Sequence, residues 1–274
     1  MDGEVAKQSA KKGVSCAPEL TFRAIEGLPR IAPGDDLAAL LAHAIRASAL
    51  QLRDCDVLVI TSKVVSKAEG RYVDLSGVQA SPRACELATQ VGRDARLLEV
   101  VLWDSERISR SALGALIVRH HGGHVSANAG VDESNAAPPH AAAGSGPWLL
   151  RLPSDPDASA KQLRAALERA FGVRLGVIIS DSFGRPFRQG SLGTAVGLSG
   201  LPALHDRRGD VDLDGRRLEH TISATADQIA AASDLVCGQA DEARAATLVR
   251  GLQFAPSDGN ARELCRPALG DLYL

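Results

Sequence analysis

The chain has 274 residues, 45% hydrophobic and 23% charged, enough for one large core or two smaller ones. Its 31 Lys and Arg nearly balance 33 Asp and Glu, which excludes a global basic field for nucleic acid, and 3% aromatic residues exclude base-stacking platforms. Five cysteines without a C-x-x-C pair argue against a disulfide framework or a zinc–thiolate site and for a reducing, cytoplasmic setting.

Residues 1–19 are polar and read as a disordered extension. Lys7, Lys11 and Lys12 precede no apolar run, so a secretory signal is not expected, and no apolar stretch is long enough to span a membrane. Order is expected to begin near Leu20 to Phe22, a short alternating strand. After a Gly27-Leu28-Pro29 turn, Asp35 or Asp36 caps a helix with Leu37, Leu40, Leu41, Ala44 and Ile45 inward. Asp56 to Thr61 reads as a buried strand, followed by a polar exit from Ser62 to Gly70. A helix is expected over 82–91, after Pro82. Ile108 to Val118 gives no clear period. Val125 to Asn135 is too polar for a core strand, and Ala136 to Pro147 reads as a flexible loop.

Leu149 to Leu152 is strand-like. Pro156 and Asp157 open a helix with Leu163, Ala166, Leu167 and Ala170 inward. Leu175 to Ser180 is the clearest buried strand and runs straight into Asp181 to Gly190. Asp206 to Arg217 is a charged hairpin-like stretch. Ala224 to Val236 is a helix, Ala246 to Arg250 a last strand, and 255–274 a tail. Strands and helices mix without strict alternation, so the fold class is α+β.

Four groups of residues carry chemistry. Asn128, Asp132, Ser134 and Asn135 supply oxygen donors of the kind that hard cations prefer, with Asp132 a candidate metal ligand and Asn135 a candidate nucleotide partner. An Asx-rich surface turn is the plain alternative. Asp181 and Ser182, at a strand exit, are a second candidate metal pair, or a cap. Arg185 and Arg188 suit carboxylate or phosphate, or a solvated turn. Lys63 and Lys67 follow a strand among hydroxyls, although no Walker A loop is present. His120, His121 and His124 match no zinc signature and read as a surface or strand-edge cluster.

Longer blocks carry a resemblance. They are Gly27 to Pro29 with Gly34 to Leu37, Asp56 to Arg71, Ala127 to Asn135, Leu152 to Ala160, Val177 to Gly190 and Val249 to Leu252. In this order they resemble the F420 gamma-glutamyl ligase family, the coenzyme F420-0:L-glutamate ligases of deazaflavin biosynthesis. The resemblance covers residues 20–254 and implies a family-specific fold, mixed sheets with flanking helices, in an intertwined homodimer. A second subdomain inserted around 72–150 is compatible with it.

The implied activity is GTP-dependent addition of one or more L-glutamates, gamma-linked, to F420-0 through an acyl phosphate, releasing GDP and phosphate. The implied cofactors are two Mg2+ or Mn2+ ions and K+; no nucleic-acid or membrane partner is implied. By this resemblance Leu28, Pro29, Arg30, Ile31, Ser62, Lys63, Lys67, Asn135 and Gln239 contact GTP. Asp132, Asp181, Ser182 and Gln239 hold metal, and Asp132 and Asp181 are the catalytic pair. Ser182 stands where Thr is commoner and keeps the hydroxyl. The late segment from Gly238 to Ala246 lacks an expected proline, and no flavin-type reductase domain is expected beyond it. A metal-dependent phosphotransferase or a non-catalytic nucleotide-binding protein on the same fold are the rival classes.

Overall fold

The computed structural model describes residues 14–142 and 144–267. In chain order it begins with β1 (Val14–Ile25), α1 (Leu37–Ala47), β2 (Asp56–Thr61), α2 (Ser62–Ala68) and β3 (Tyr72–Asp74). Next come α3 (Pro82–Val91), α4 (Ala95–Trp103), β4 (Ser105–Ala112), β5 (Ala115–His120), β6 (Val125–Ala127) and β7 (Trp148–Leu150). The rest is α5 (Pro156–Phe171), β8 (Leu175–Arg185), β9 (Arg188–Ser199), β10 (His205–Asp206), β11 (Ile222–Ser223), α6 (Thr225–Cys237) and β12 (Ala246–Phe254).

The main sheet runs β1-β12-β2-β8-β9. Only β2 and β8 are parallel; the other pairs are antiparallel. Successive strand side chains point to opposite faces. Leu58 and Ile60 of β2 therefore join the cluster under α1 and α5, whereas Val57 and Val59 join the one under α6. A strand covered on both sides reads as a continuous apolar run, which is why β2 and β8 are plain in the sequence. A third apolar cluster draws all its buried members from Leu75 to Leu149, on α3, α4, β5 and the β7 segment.

Local signals account for several boundaries. Asp36, not Asp35, caps α1: its carboxylate accepts from the Ala39 amide at 3.0 Å. Asp35 accepts from Ala32 instead. Asp155 caps α5 through the Ala158 amide, with Pro156 in the first turn. Each such cap is worth about 1 kcal/mol. Gly197 lets β9 approach α5, because a Cβ there would meet the Pro156 carbonyl carbon at 2.4 Å.

Four expectations are corrected. Order starts at Val14 rather than Leu20, because residues 14–16 pair with 252–254 across a bulge in β1; the rest of the expected disordered extension, residues 1–13, lies outside the described residues. The exit after Thr61 is a helix, α2, not a polar loop. Ala170 of α5 is exposed, and its neighbour Phe171 packs against the core cluster in its place. In the expected tail, Asn260 and Glu263 form a reciprocal cap on a 3-10 turn and Ala261 is buried in the α6-side cluster; residues 268–274 lie outside the described residues. The unassigned stretch around Ile108 to Val118 is the β4–β5 hairpin, whose register shifts and exposed arginines hide its period. No described helix is long and apolar enough to cross a membrane.

Candidate functional site

The site is assembled at the C-terminal ends of the parallel pair, where open α/β sheets commonly bind ligands. Register sets Thr61 beside Ser180. The next residues diverge: Ser62 turns into α2 while Asp181 continues β8, and the Ser62 hydroxyl donates to Asp181 Oδ1 at 2.7 Å. Lys63 and Lys67 lie four apart on α2 and share a face. The Gly27 to Asp36 loop is pinned beside this helix by Gly34 N donating to Ala68 O at 2.8 Å. That loop carries Leu28, half-buried, Ile31, buried, and Pro29 and Arg30, exposed.

Asp132 comes from far away in sequence. Its backbone bridges Leu150 in both directions at 2.9 Å, extending the small β3–β7 ladder. Gly130 packs on Leu152, where a Cβ would stand only 2.7 Å from Cδ1, and it would touch Asp181 Oδ2 at an ordinary 3.4 Å. It has φ +70, so a side chain would be strained as well as crowded. The Asp132 carboxylate accepts from the Ser134 amide at 2.7 Å and hydroxyl at 2.8 Å, and pairs with Lys63 Nζ at 2.7 Å. Lys63 also donates to Ser134 O and Oγ. One residue further on, Ser182 donates to Gln239 Oε1 at 2.8 Å, so the loop after α6 reaches β8 next to Asp181 but on the strand's other face.

Electrostatics separate the two carboxylates. Burial, reinforced by the nearby charge of Asp132, pushes Asp181 up to about 6 against the pull of the Ser62 hydroxyl. Burial and the neighbouring charges of Lys63 and Arg30 lower Lys67. The result is a paired-carboxylate centre edged by three cations, Arg30, Lys63 and Lys67.

The donors are all oxygens: two carboxylates, the Ser182 hydroxyl and the Gln239 amide. Among the described residues no group of three or more His, Cys, Asp and Glu could hold a metal by itself. That composition fits a hard cation bound through one or two carboxylates and completed by substrate phosphates and water. In the structure Lys63 serves as the counter-charge of Asp132.

Other candidates lie elsewhere. Arg185 and Arg188 face each other at the tip of the β8–β9 hairpin, four residues along β8 from Asp181, about 13 Å in an extended strand. Arg185 donates to Gln189 O there. Asn128 turns inward, where its side chain accepts from the Leu116 amide at 3.4 Å. Asn135 has φ +51 and lines a cleft behind the Asp132 turn with Glu133 and Arg93, two residues that carried no sequence signal of their own.

Of the three histidines His121 is exposed, as expected of a surface cluster, whereas His120, at the end of β5, and His124 turn inward. His120 is buried and stacks on His124 with ring centroids 4.6 Å apart, and His124 lies 5.1 Å from the Phe183 ring on β8. Burial, with a contribution from His120, holds His124 down at about 3. Its folded value is below the unfolded one, so the unfolded chain takes up the proton first. Stability carried by neutral His124 is complete above about 6.5 and is lost as pH falls toward 3, with a slope of about 1.4 kcal/mol for each pH step of one between those values. His124→Phe is expected to flatten this part of the stability curve. Urea midpoints of wild type and variant between pH 7 and 4 check it, and parallel curves would refute it.

A family model described as F420-0:Gamma-glutamyl ligase matches residues 27–251. The chain is 47% identical over 232 residues to the coenzyme F420:L-glutamate ligase of Methanopyrus kandleri, covering 84% of this chain and 87% of that one. It is 42% identical over 251 residues to the protein of that name from Methanothermobacter thermautotrophicus, covering 91% and 96%. A third such protein, from Archaeoglobus fulgidus, is 42% identical over 242 residues, covering 88% and 91%. With a family model spanning most of its length and relatives this similar along nearly whole chains, the protein belongs to the F420-0:gamma-glutamyl ligase family.

Proposed function

We propose that this protein is a GTP-dependent amide ligase of the cytoplasm. It adds L-glutamate, one or more times through gamma linkages, to the deazaflavin precursor coenzyme F420-0. The observation that carries this reading is the meeting of Asp132 and Asp181, 49 positions apart in the sequence, around Ser62 and Lys63 at the end of the parallel strand pair.

A carboxylate is a poor electrophile, so the acceptor carboxylate first takes the γ-phosphoryl group of GTP. The glutamate amine then attacks the acyl phosphate, and phosphate leaves. The protein's work is to position the reactants and balance charge. Lys63, Lys67 and Arg30 receive the triphosphate, aided by Leu28 to Ile31, Ser62, Asn135 and Gln239. Asp132, Asp181, Ser182 and Gln239 would hold two Mg2+ or Mn2+ ions, with K+ as an auxiliary cation. When bound, those ions neutralise charge on the reacting phosphates. Arg185 and Arg188 are assigned a weaker part, in holding anionic substrate at the rim, and the working unit is a homodimer.

The test is mass spectrometry of a mixture of protein, F420-0, L-glutamate, GTP and Mg2+ or Mn2+. Products heavier by successive glutamyl units are expected. GTP consumption without added glutamyl mass would point to a phosphotransferase, and no reaction to a nucleotide-binding protein.

A further inference from the structure

A cleft of about 450 Å³ lies behind the Asp132–Asn135 turn, lined by Trp148 and Leu97 among others. This is within the roughly 300–1,000 Å³ common for small-ligand sites. Its wall carries Arg93, between α3 and α4, ion-paired with Glu133. Both side chains keep solvent access, so a ligand can reach them. Asn135, held in the left-handed region, lines the same cleft and is the point at which it adjoins the proposed nucleotide site.

We propose that this cleft is the L-glutamate subsite, with Arg93 receiving a carboxylate and Glu133 the ammonium group. The inference rests on the ligase reading and deepens it. The argument is one of charge. GTP and the deazaflavin acceptor are anionic, and the cations suited to them, Arg30, Lys63 and Lys67, stand on the Asp132 side of the turn. The cleft instead offers both signs, Arg93 against Glu133, with Asp94 on its wall already engaged by Arg96. Glu133 repels a polyanion but complements an α-amino acid, which carries both charges.

Binding exchanges one internal ion pair for two to the ligand, so neither charge loses a partner. The planar Arg93 guanidinium suits bidentate contact with a carboxylate. Because Glu133 adjoins Asp132 in the chain, the amine end is held at the edge of the paired-carboxylate centre.

Steady-state kinetics with each substrate varied in turn test this, on wild type, Arg93→Gln, Arg93→Lys and Glu133→Gln, with circular dichroism to confirm folding. Removing a charged partner is expected to raise KM for L-glutamate about ten- to a hundredfold, with KM for GTP and for the acceptor within about twofold. Arg93→Lys should recover part of the loss. Glu133→Gln is a near-isosteric change at an exposed position, so it remains informative if Arg93→Gln fails to fold. An unchanged glutamate KM in an active enzyme overturns the subsite and leaves the ligase reading standing. A rise confined to GTP or to the acceptor also overturns it, reassigning the cleft to that substrate. Wild type that forms no glutamylated product overturns both readings.

Discussion

Asp181→Asn and Asp132→Ala are each expected to lower glutamyl transfer about a thousandfold or more while leaving the fold intact. The two carboxylates converge from different parts of the chain, Asp181 on Ser62 and Asp132 on Lys63, the next residue of α2. Their effects on stability should differ from their effects on rate. Asp181 is ionised at neutral pH only against burial and the charge of Asp132, which is why its carboxyl lies near 6. An amide of the same shape removes that cost and can still accept from Ser62. In metal-free buffer the thermal midpoint of Asp181→Asn should therefore equal or exceed that of wild type, the pattern of a site residue kept for activity at the expense of stability. Asp132→Ala releases Lys63 and leaves the backbone bridge to Leu150 in place, so its midpoint should change little. Product mass against time and thermal melts of the same preparations check both. Near-normal turnover in the two variants would refute the assignment of the centre.

The largest loss of stability is expected at Asp104→Ala. Asp104 is 7% exposed and ends α4. Both its oxygens accept from Arg151, one at 2.7 Å from Nε, and Arg71 stands 4.0 Å away. Arg71 and Arg151 lie on the strand pair that joins α2 to the β7 segment, while Asp104 belongs to the α3–α4 unit, so this cluster ties the third apolar core to the main sheet. Removing the carboxylate leaves two crowded guanidinium groups without their common partner. Burial and the charge of Arg151 already lower Arg71. Breaking a buried pair in this one-sided way costs about 3–5 kcal/mol, and at about 2–4 °C per kcal/mol for a chain of this size the midpoint should fall by roughly 6–20 °C. Replacing both members of the tighter pair, as in Asp104→Leu with Arg151→Met, should restore part of the loss, because only Arg71, which keeps the Leu152 carbonyl as an acceptor, is then left without the carboxylate. A single variant that melts with wild type would show that the cluster carries no net stability.

Read alone, the chain determined its local structure wherever one physical signal dominated. The apolar runs of β2 and the first half of β8, the Asp36 cap and the Pro156 start are each written within a few residues, because doubly covered strands and capped helices depend on near neighbours. The residues of the candidate centre could be picked out as well, since Asp132, Asp181, Ser182 and the two lysines of α2 sit in long blocks with a family resemblance, and their roles are those proposed above. The β4–β5 hairpin and α4 were not legible: the hairpin's exposed arginines and shifted register erase the period of two, and α4 follows Gly92 too closely for its start to stand out. What only the tertiary structure decided was which of these residues meet. Asp132 reaches Asp181 because a backbone bridge to Leu150 and a side-chain-free Gly130 let one segment lie on another. Arg185 and Arg188, three residues apart and close to Asp181 in sequence, are carried to a hairpin tip instead. Arg93 and Glu133, forty positions apart, become one ion pair on the wall of a cleft. Distances along a chain are set by its local conformation, but convergence depends on long-range pairing, and that is a property of the packed whole.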